Sequence, residues 1–156
     1  MKMFVLALIA VVGFQAKADV PAHRVSTHKE FVIRSSTIDG WVYYNCDSVE
    51  DTVTDLLTKL GAGNISVRCT GGIQDDQPLM DAFVDVTFDA LKVAGASDTD
   101  TVMAKWTPVK IDSWDNCDLK SQILKETQSG FSMMDVKVSS CWDSSSPFRA
   151  SLTTLF

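Results

Sequence analysis

Four cysteines constrain the fold of this chain more than any other feature of its 156 residues. Cys46 and Cys117 each lie in an Asn-Cys-Asp triplet that precedes a helical pattern of apolar residues. Cys69 and Cys141 each follow the next strand-like segment, 23 and 24 residues further along the chain. Each pair then joins corresponding points of two similar units. The spacing therefore predicts the disulfides Cys46–Cys69 and Cys117–Cys141, out of the three pairings that four cysteines allow.

A zinc site or a redox centre is the alternative use of four cysteines. Structural zinc ligands usually include close pairs such as Cys-x-x-Cys, and thioredoxin-like centres use the same motif. The sequence contains no such pair. An even number of cysteines in an exported protein instead favours structural disulfides. We therefore predict neither a metal site nor a cofactor.

The first 18 residues have the pattern of a cleavable signal peptide. A basic start at Lys2 is followed by an apolar run over residues 4–14 and by an A-x-A sequence at residues 16–18. The apolar run is shorter than the roughly 20 residues that cross a bilayer, and no later stretch approaches that length. The sequence thus predicts an exported protein, periplasmic or secreted, that begins at Asp19 and has no membrane span.

The net charge disfavours one class of partner. Removing Lys2 and Lys17 with the leader takes the formal net charge from −6 to −8. A domain with this charge repels phosphate backbones and anionic lipid headgroups. Nucleic acid is therefore not an expected partner.

Helix and strand periodicities predict an α+β fold made of two tandem βαββ-like units. In the first unit (41–93), a strand over residues 41–46 precedes a helix with one apolar stripe, and two alternating strands follow. The second unit (101–156) repeats this order. We expect the two units to form one antiparallel-sheet domain (41–156) with the helices packed on one face.

Residues 19–40 are predicted to be an N-terminal tail or linker with one short strand at residues 31–34. This segment contains scattered polar residues and both histidines. His23 and His28 are five residues apart, so they share neither a helix face nor a strand face. The sequence places no acidic partner to help them bind a metal, so we expect solvent-exposed histidines in a tail.

The second unit carries one extra residue between its cysteines. In the strand before Cys141, three apolar residues share one face, and Cys141 falls on the opposite parity (Met134, Val136 and Val138). A β-bulge near residues 139–140 would restore the parity, and we predict one there. Continuous pairing beside an intact disulfide would contradict this alignment of the two units.

No catalytic motif is evident in the sequence. It lacks G-x-S-x-G, H-E-x-x-H and the glycine-rich phosphate loops. Both histidines fall in the predicted tail, so a serine or cysteine nucleophile lacks its base. The interpretation is an exported, disulfide-stabilised, non-enzymatic module that binds a protein or glycan partner.

Tryptophans mark the candidate binding surface. Trp106, Trp114 and Trp142 border predicted strand ends or strand–helix junctions, where an exposed indole can stack on a sugar ring or anchor a protein. Trp114 lies in a polar loop and is expected to be the most exposed. The alternative is that these large rings fill the core.

Two other functions compete with this interpretation. A carboxylate-dependent hydrolase of envelope polysaccharide requires an Asp/Glu pair about 5–10 Å apart in one cleft. Asp85 and Asp89 share the outer face of a predicted strand, where solvated charges are expected. A structural or assembly protein would instead pair with its partner through an exposed sheet edge.

Overall fold

The computed structural model describes residues 19–37, 40–74, 77–142 and 146–156. The predicted signal peptide lies outside the described residues. Within the described ranges no helix is long and apolar enough to cross a membrane. The elements, in chain order, are β1 (Val20–Ile33), β2 (Ser36–Thr37), β3 (Gly40–Trp41), α1 (Cys46–Lys59), β4 (Gly63–Gln74), β5 (Gln77–Val93), β6 (Val102–Ala104), β7 (Trp106–Ser113), α2 (Cys117–Thr127), a 3₁₀ turn (Gln128–Gly130), β8 (Met133–Val138) and β9 (Phe148–Leu155).

Two antiparallel sheets and two helices make up most of the described chain, which confirms the predicted α+β class. One sheet has four strands in the order β4-β5-β1-β6, and the other has three in the order β7-β9-β8. In each βαββ unit the last strand lies between the other two, because β5 separates β4 from β1 and β9 separates β8 from β7. The two units therefore share one topology in two sheets, and β6 from the start of the second unit adds a strand to the first sheet beside β1.

The tail predicted for residues 19–40 is wrong, because Val20–Ile33 forms the 14-residue strand β1. It pairs with β5 along most of its length and with β6 at its start. Phe31 and Ile33 are buried in the core. Earlier positions on the core side of β1 carry the polar residues Thr27 and Lys29. The sequence therefore lacks the alternation of apolar and polar residues that predicts a strand. The partners of β1 lie roughly 50 to 85 residues further along the chain, beyond the reach of a local pattern.

The sheet strand predicted for residues 41–46 is also wrong. Gly40–Trp41 forms β3, which pairs only with the equally short β2 among the described strands. Tyr44 is buried in the core from the connecting segment. Asn45 then caps α1, since its side chain accepts a hydrogen bond from the Asp47 amide at 2.8 Å. Aromatic residues favour strands, but here they lie mostly in the segment that connects β3 to α1. The first strand of the unit is β1.

α1 packs on the four-stranded sheet because its apolar residues form one stripe. Its buried side chains recur at helical spacing and contact the same core as α2 and both sheets (Val49, Val53, Leu56 and Leu57). Burying an aliphatic side chain of this size stabilises the fold by about 1.5–3 kcal/mol. Asp55 and Lys59 form a 2.7 Å ion pair on the opposite, exposed face. One continuous core thus joins the two units.

The predicted disulfide pairing is confirmed. Cys46–Cys69 joins the first residue of α1 to β4. Cys117–Cys141 joins the first residue of α2 to the segment just after β8. Each disulfide therefore fastens the start of a helix to the strand that follows it, at the same point of each unit.

β8 contains the predicted extra residue, but at another place. Its pairing with β9 shifts register between Met134 and Lys137. Asp135, inside this shift, has a φ of 55°. The bulge predicted near residues 139–140 is therefore wrong, because the pairing continues through Ser139, whose amide donates to the Arg149 carbonyl at 2.8 Å.

Candidate binding surfaces on the two sheets

Each unit presents a groove on the outer face of its sheet. The first groove, about 430 Å³, crosses β1, β4 and β5 at residues 30–32, 68, 70 and 83–85. The second groove, about 350 Å³, crosses β7, β8 and β9 at residues 110–112, 137–139 and 149–151. The strands β1, β4 and β5 occupy the same places in the first sheet as β7, β8 and β9 in the second. The two grooves are therefore equivalent surfaces of the two units.

Three exposed cations line the second groove. Lys110 and Lys137 pair with Ser151 from opposite sides, so these three side chains form one row across the sheet. Neighbouring strands are about 4.8 Å apart, which separates the two lysine Cα atoms by about 10 Å. Arg149 lies two residues before Ser151, and its Nε is 3.5 Å from the Asp112 carboxylate. With one carboxylate against three cations, the groove is positive on a chain of net charge −6.

The bulge in β8 is what places Lys137 in this groove. Without the extra residue, pairing that continued from Met134 and Thr153 would set Lys137 opposite Ala150, which is buried. The observed register sets Lys137 opposite Ser151 and Val138 opposite Ala150. Because side chains alternate between the faces of a sheet, a one-residue shift turns Lys137 from the core face to the outer face.

Trp114 lies just beyond the end of β7 and is 75% exposed. The guanidinium carbon of Arg149 is 6.0 Å from the centroid of its indole ring, within reach of a cation–π interaction. The residues on either side of Trp114 are both tied to α2. The Lys120 ammonium donates to the Ser113 hydroxyl at 2.6 Å and to the Asp115 carboxylate at 2.9 Å. The indole is therefore presented on a loop that one ammonium group holds at both sides.

The burial of Lys120 strengthens this tie. Its side chain is only 11% exposed, whereas that of Asp115 is 69% exposed. The hydrogen bond from the Ser113 hydroxyl, and then that from Lys120, lower the pKa of the Asp115 carboxyl. A nearly buried ammonium without acceptors would be costly, so the loop is held in the conformation that supplies them.

Of the other two candidate tryptophans, Trp142 lies at the same end of the second unit as Trp114, and Trp106 does not. Trp142 is 76% exposed and follows Cys141, so the disulfide to Cys117 keeps it at the same end of the unit as Trp114. Trp106 is half-buried against a small apolar cluster that includes Leu155. It begins β7 while Trp114 follows the end of that strand, about 26 Å away at 3.3 Å per residue. Trp106 and Trp114 therefore belong to different surfaces.

A second cluster lies at the first groove. His28 Nε2 is 2.8 Å from Asp85 Oδ1 and 3.9 Å from Glu30 Oε1. His28 and Glu30 are two residues apart on one face of β1, and Asp85 is the cross-strand partner of Glu30. The prediction that no acidic residue is placed beside the histidines is therefore wrong. It fails because the pairing of β1 with β5, which the tail assignment excluded, brings these residues together.

Glu30 and Asp85 are also the closest approach to the carboxylate pair that the hydrolase alternative requires. Donor oxygens of the two side chains lie within 4.8 Å of each other. This upper limit lies below the separation of about 5–5.5 Å found in retaining glycosidases. Both side chains are more than half exposed, so neither has the apolar surroundings that a carboxylic acid needs to act as a general acid at neutral pH.

The assembly alternative requires an exposed edge strand, and β8 is such a strand in the three-stranded sheet. Within the described residues β8 pairs only with β9, and its Val136 and Val138 are exposed. The bulge at Asp135 and the charge of Lys137 interrupt this edge. Bulges and lysines are features that prevent edge-to-edge pairing, so this strand is a poor template for a partner strand.

The fold defines a disulfide-stabilised α+β module, of the kind that oxidising compartments maintain. The chain matches no family model, no characterised protein and no solved structure. The two outer grooves are the surfaces from which a function can be inferred.

Proposed function

We propose that the protein is an exported, non-enzymatic binding module whose second groove recognises an acidic glycan. The observation that carries this proposal is the alignment of Lys110, Lys137 and Arg149 with the exposed indole of Trp114 on one sheet face. The two disulfides and the signal-like leader support a periplasmic or secreted location.

The spacing of the charges favours an extended anionic chain. Two lysines about 10 Å apart, with a guanidinium in the next row, offer several separate contacts along a shallow surface. A small molecule would instead need an enclosed cavity that buries most of its surface. A polysaccharide with repeated carboxylates meets all three cations at once.

Trp114 adds the contact that distinguishes a sugar from a simple polyanion. Its indole presents a flat apolar face beside the cations, and its loop is already held by Lys120. A rigid aromatic ring loses little conformational freedom on binding, so it contributes more affinity than a mobile one. The net charge of −6 carried by the chain as a whole opposes non-specific binding of the same ligand to the rest of the surface.

The test is the binding of the mature, oxidised protein to polygalacturonate, a carboxylated polysaccharide, with dextran as the neutral control. We expect binding to polygalacturonate alone, and weaker binding as salt rises, because exposed charges are screened over about 8–10 Å at 0.10–0.15 M ionic strength. Trp114→Ala should weaken binding about tenfold, as truncation of a central aromatic contact usually costs more than about 1 kcal/mol. Trp41→Ala removes a 73% exposed indole from the other unit and should leave binding unchanged.

Two outcomes would overturn the proposal. One is equal binding of the parent and the Trp114→Ala variant, and the other is equal binding to dextran. Hydrolysis of the polysaccharide that disappears in Glu30→Gln would instead establish the hydrolase alternative.

A further inference from the structure

We propose that His28, Glu30 and Asp85 form a binding site for a divalent transition-metal ion, with Zn²⁺ as the ion that fits best. The site lies on the outer face of the four-stranded sheet, at the first groove. It belongs to the other unit from the glycan-binding groove, so it does not depend on the function proposed above.

The distances between the donor atoms suit a tetrahedral ion. With metal–ligand bonds of about 2.0–2.2 Å, neighbouring ligand atoms lie about 3.3–3.6 Å apart. The distances from His28 Nε2 are 2.8 Å to Asp85 and 3.9 Å to Glu30, on either side of that spacing. The three donors lie within 4.8 Å of one another. Binding would require the three side chains to rotate until all their donor atoms reach this spacing.

The donor types select the class of ion. An imidazole nitrogen and carboxylate oxygens are all donor types that Zn²⁺ binds. Ca²⁺ and Mg²⁺ prefer oxygen donors alone, so the nitrogen of His28 disfavours them. With a neutral imidazole the two carboxylates carry a formal charge of −2, which a dication neutralises.

The sheet holds the donors in a fixed arrangement. Phe31, next to Glu30, and Val84 and Val86, on either side of Asp85, are buried in the core. The backbone of both strands is therefore anchored directly beneath the site. Donors on packed strands keep their geometry better than donors on loops, which lowers the cost of assembling the site.

The first groove leaves the ion an open side. Glu30 and Asp85 line this cavity of about 430 Å³ together with Arg68 and Phe83. Three protein ligands leave one tetrahedral position for water or for an incoming anion. Arg68 is the cross-strand partner of Asp85 from β4, so a carboxylate bound to the ion would also meet a guanidinium. The site is therefore one in which the fourth ligand exchanges.

The test is isothermal titration of ZnCl₂ into the mature, oxidised protein without an affinity tag. We expect one zinc ion per chain. His28→Gln and Asp85→Asn should each weaken binding by at least about tenfold, because even the outer partners of a metal ligand contribute that much. His23→Gln is the matched control: it removes the other histidine, whose Nδ1 lies 3.0 Å from Asp98, and should keep the parent affinity.

Nuclear magnetic resonance separates loss of the site from loss of the fold. Zinc should shift the ring resonances of His28 and the amides of residues 28–30 and 84–86, and should leave those of the second groove unchanged. Absence of saturable zinc binding by the parent would overturn the proposal. Equal affinity in a folded His28→Gln variant, or displacement of zinc by excess Ca²⁺, would do the same.

Discussion

Removal of each disulfide tests whether the two units are equivalent in energy as well as in topology. The double variants Cys46→Ala/Cys69→Ala and Cys117→Ala/Cys141→Ala open loops whose ends are 23 and 24 residues apart. On the chain-entropy relation, closing either loop stabilises the fold by about 3.4 kcal/mol at 25 °C, and the two values differ by less than about 0.1 kcal/mol. The loop term alone therefore predicts equal losses.

The burial of the sulfur atoms predicts that the two double variants lose different amounts of stability. Cys117 is 1% exposed and belongs to the core, whereas Cys46 and Cys69 are half-buried at its border. Replacing a buried sulfur by hydrogen leaves a cavity of about one methyl group, which costs about 1 kcal/mol. We therefore expect losses of about 3.4 kcal/mol for the first variant and about 4.4 kcal/mol for the second.

Urea unfolding followed by far-ultraviolet circular dichroism measures both losses against the parent. The m values must also be compared, because a change in m would indicate a more expanded denatured state. A larger loss for the first variant would refute the argument from the burial of Cys117. Losses below about 1 kcal/mol in both variants would refute the loop-closure estimate for this fold.

Two further predictions concern the backbone and the Trp114 loop. Gly72→Ala should lower the free energy of unfolding by more than about 2 kcal/mol, because Gly72 has a φ of 66° and an added Cβ would lie 2.2 Å from the Tyr44 carbonyl oxygen. Gly95→Ala is the control, since its Cβ would be 3.6 Å from the nearest atom, and an equal loss would contradict the steric reason. Asp115 has a lowered pKa in the fold, so its stabilisation is present above about pH 4 and disappears as the pH falls through the folded value. Asp115→Asn should therefore flatten the decline of stability below about pH 4, and an unchanged pH profile would contradict this role.

Local patterns predict the parts of the fold that depend on local interactions. The apolar stripe of α1 from Val49 to Leu57 can be recognised in the sequence, because residues on one helix face are three and four positions apart. The disulfides follow from spacing that the two units repeat. β1 is different, because its inward Thr27 and Lys29 are stabilised in a strand only by the neighbouring strands, which lie far along the chain. The sequence therefore predicts the fold class, but it does not predict β1, the strand that lies between β5 and β6 in the four-stranded sheet.

The candidate surfaces show the same division. Trp114 is exposed, as its polar loop suggests, while its role in binding stays a prediction. The outward direction of Lys137 depends on where a single extra residue falls in β8, and no local signal marks Asp135 as that place. The cluster of His28 with Asp85 depends on long-range pairing and is equally invisible to a local pattern.

The equivalence of the two grooves explains how one fold presents two opposite charges. Inner-face residues of each sheet are constrained by a shared core, whereas outer-face residues contact mainly solvent. A substitution on the outer face therefore changes a groove without changing the topology beneath it. The first groove carries Glu30 and Asp85 beside one arginine, which suits a cation, and the second carries three cations beside one carboxylate, which suits an anion. Because the two grooves lie on separate sheets, the proposed zinc site and the proposed glycan-binding groove share no side chain.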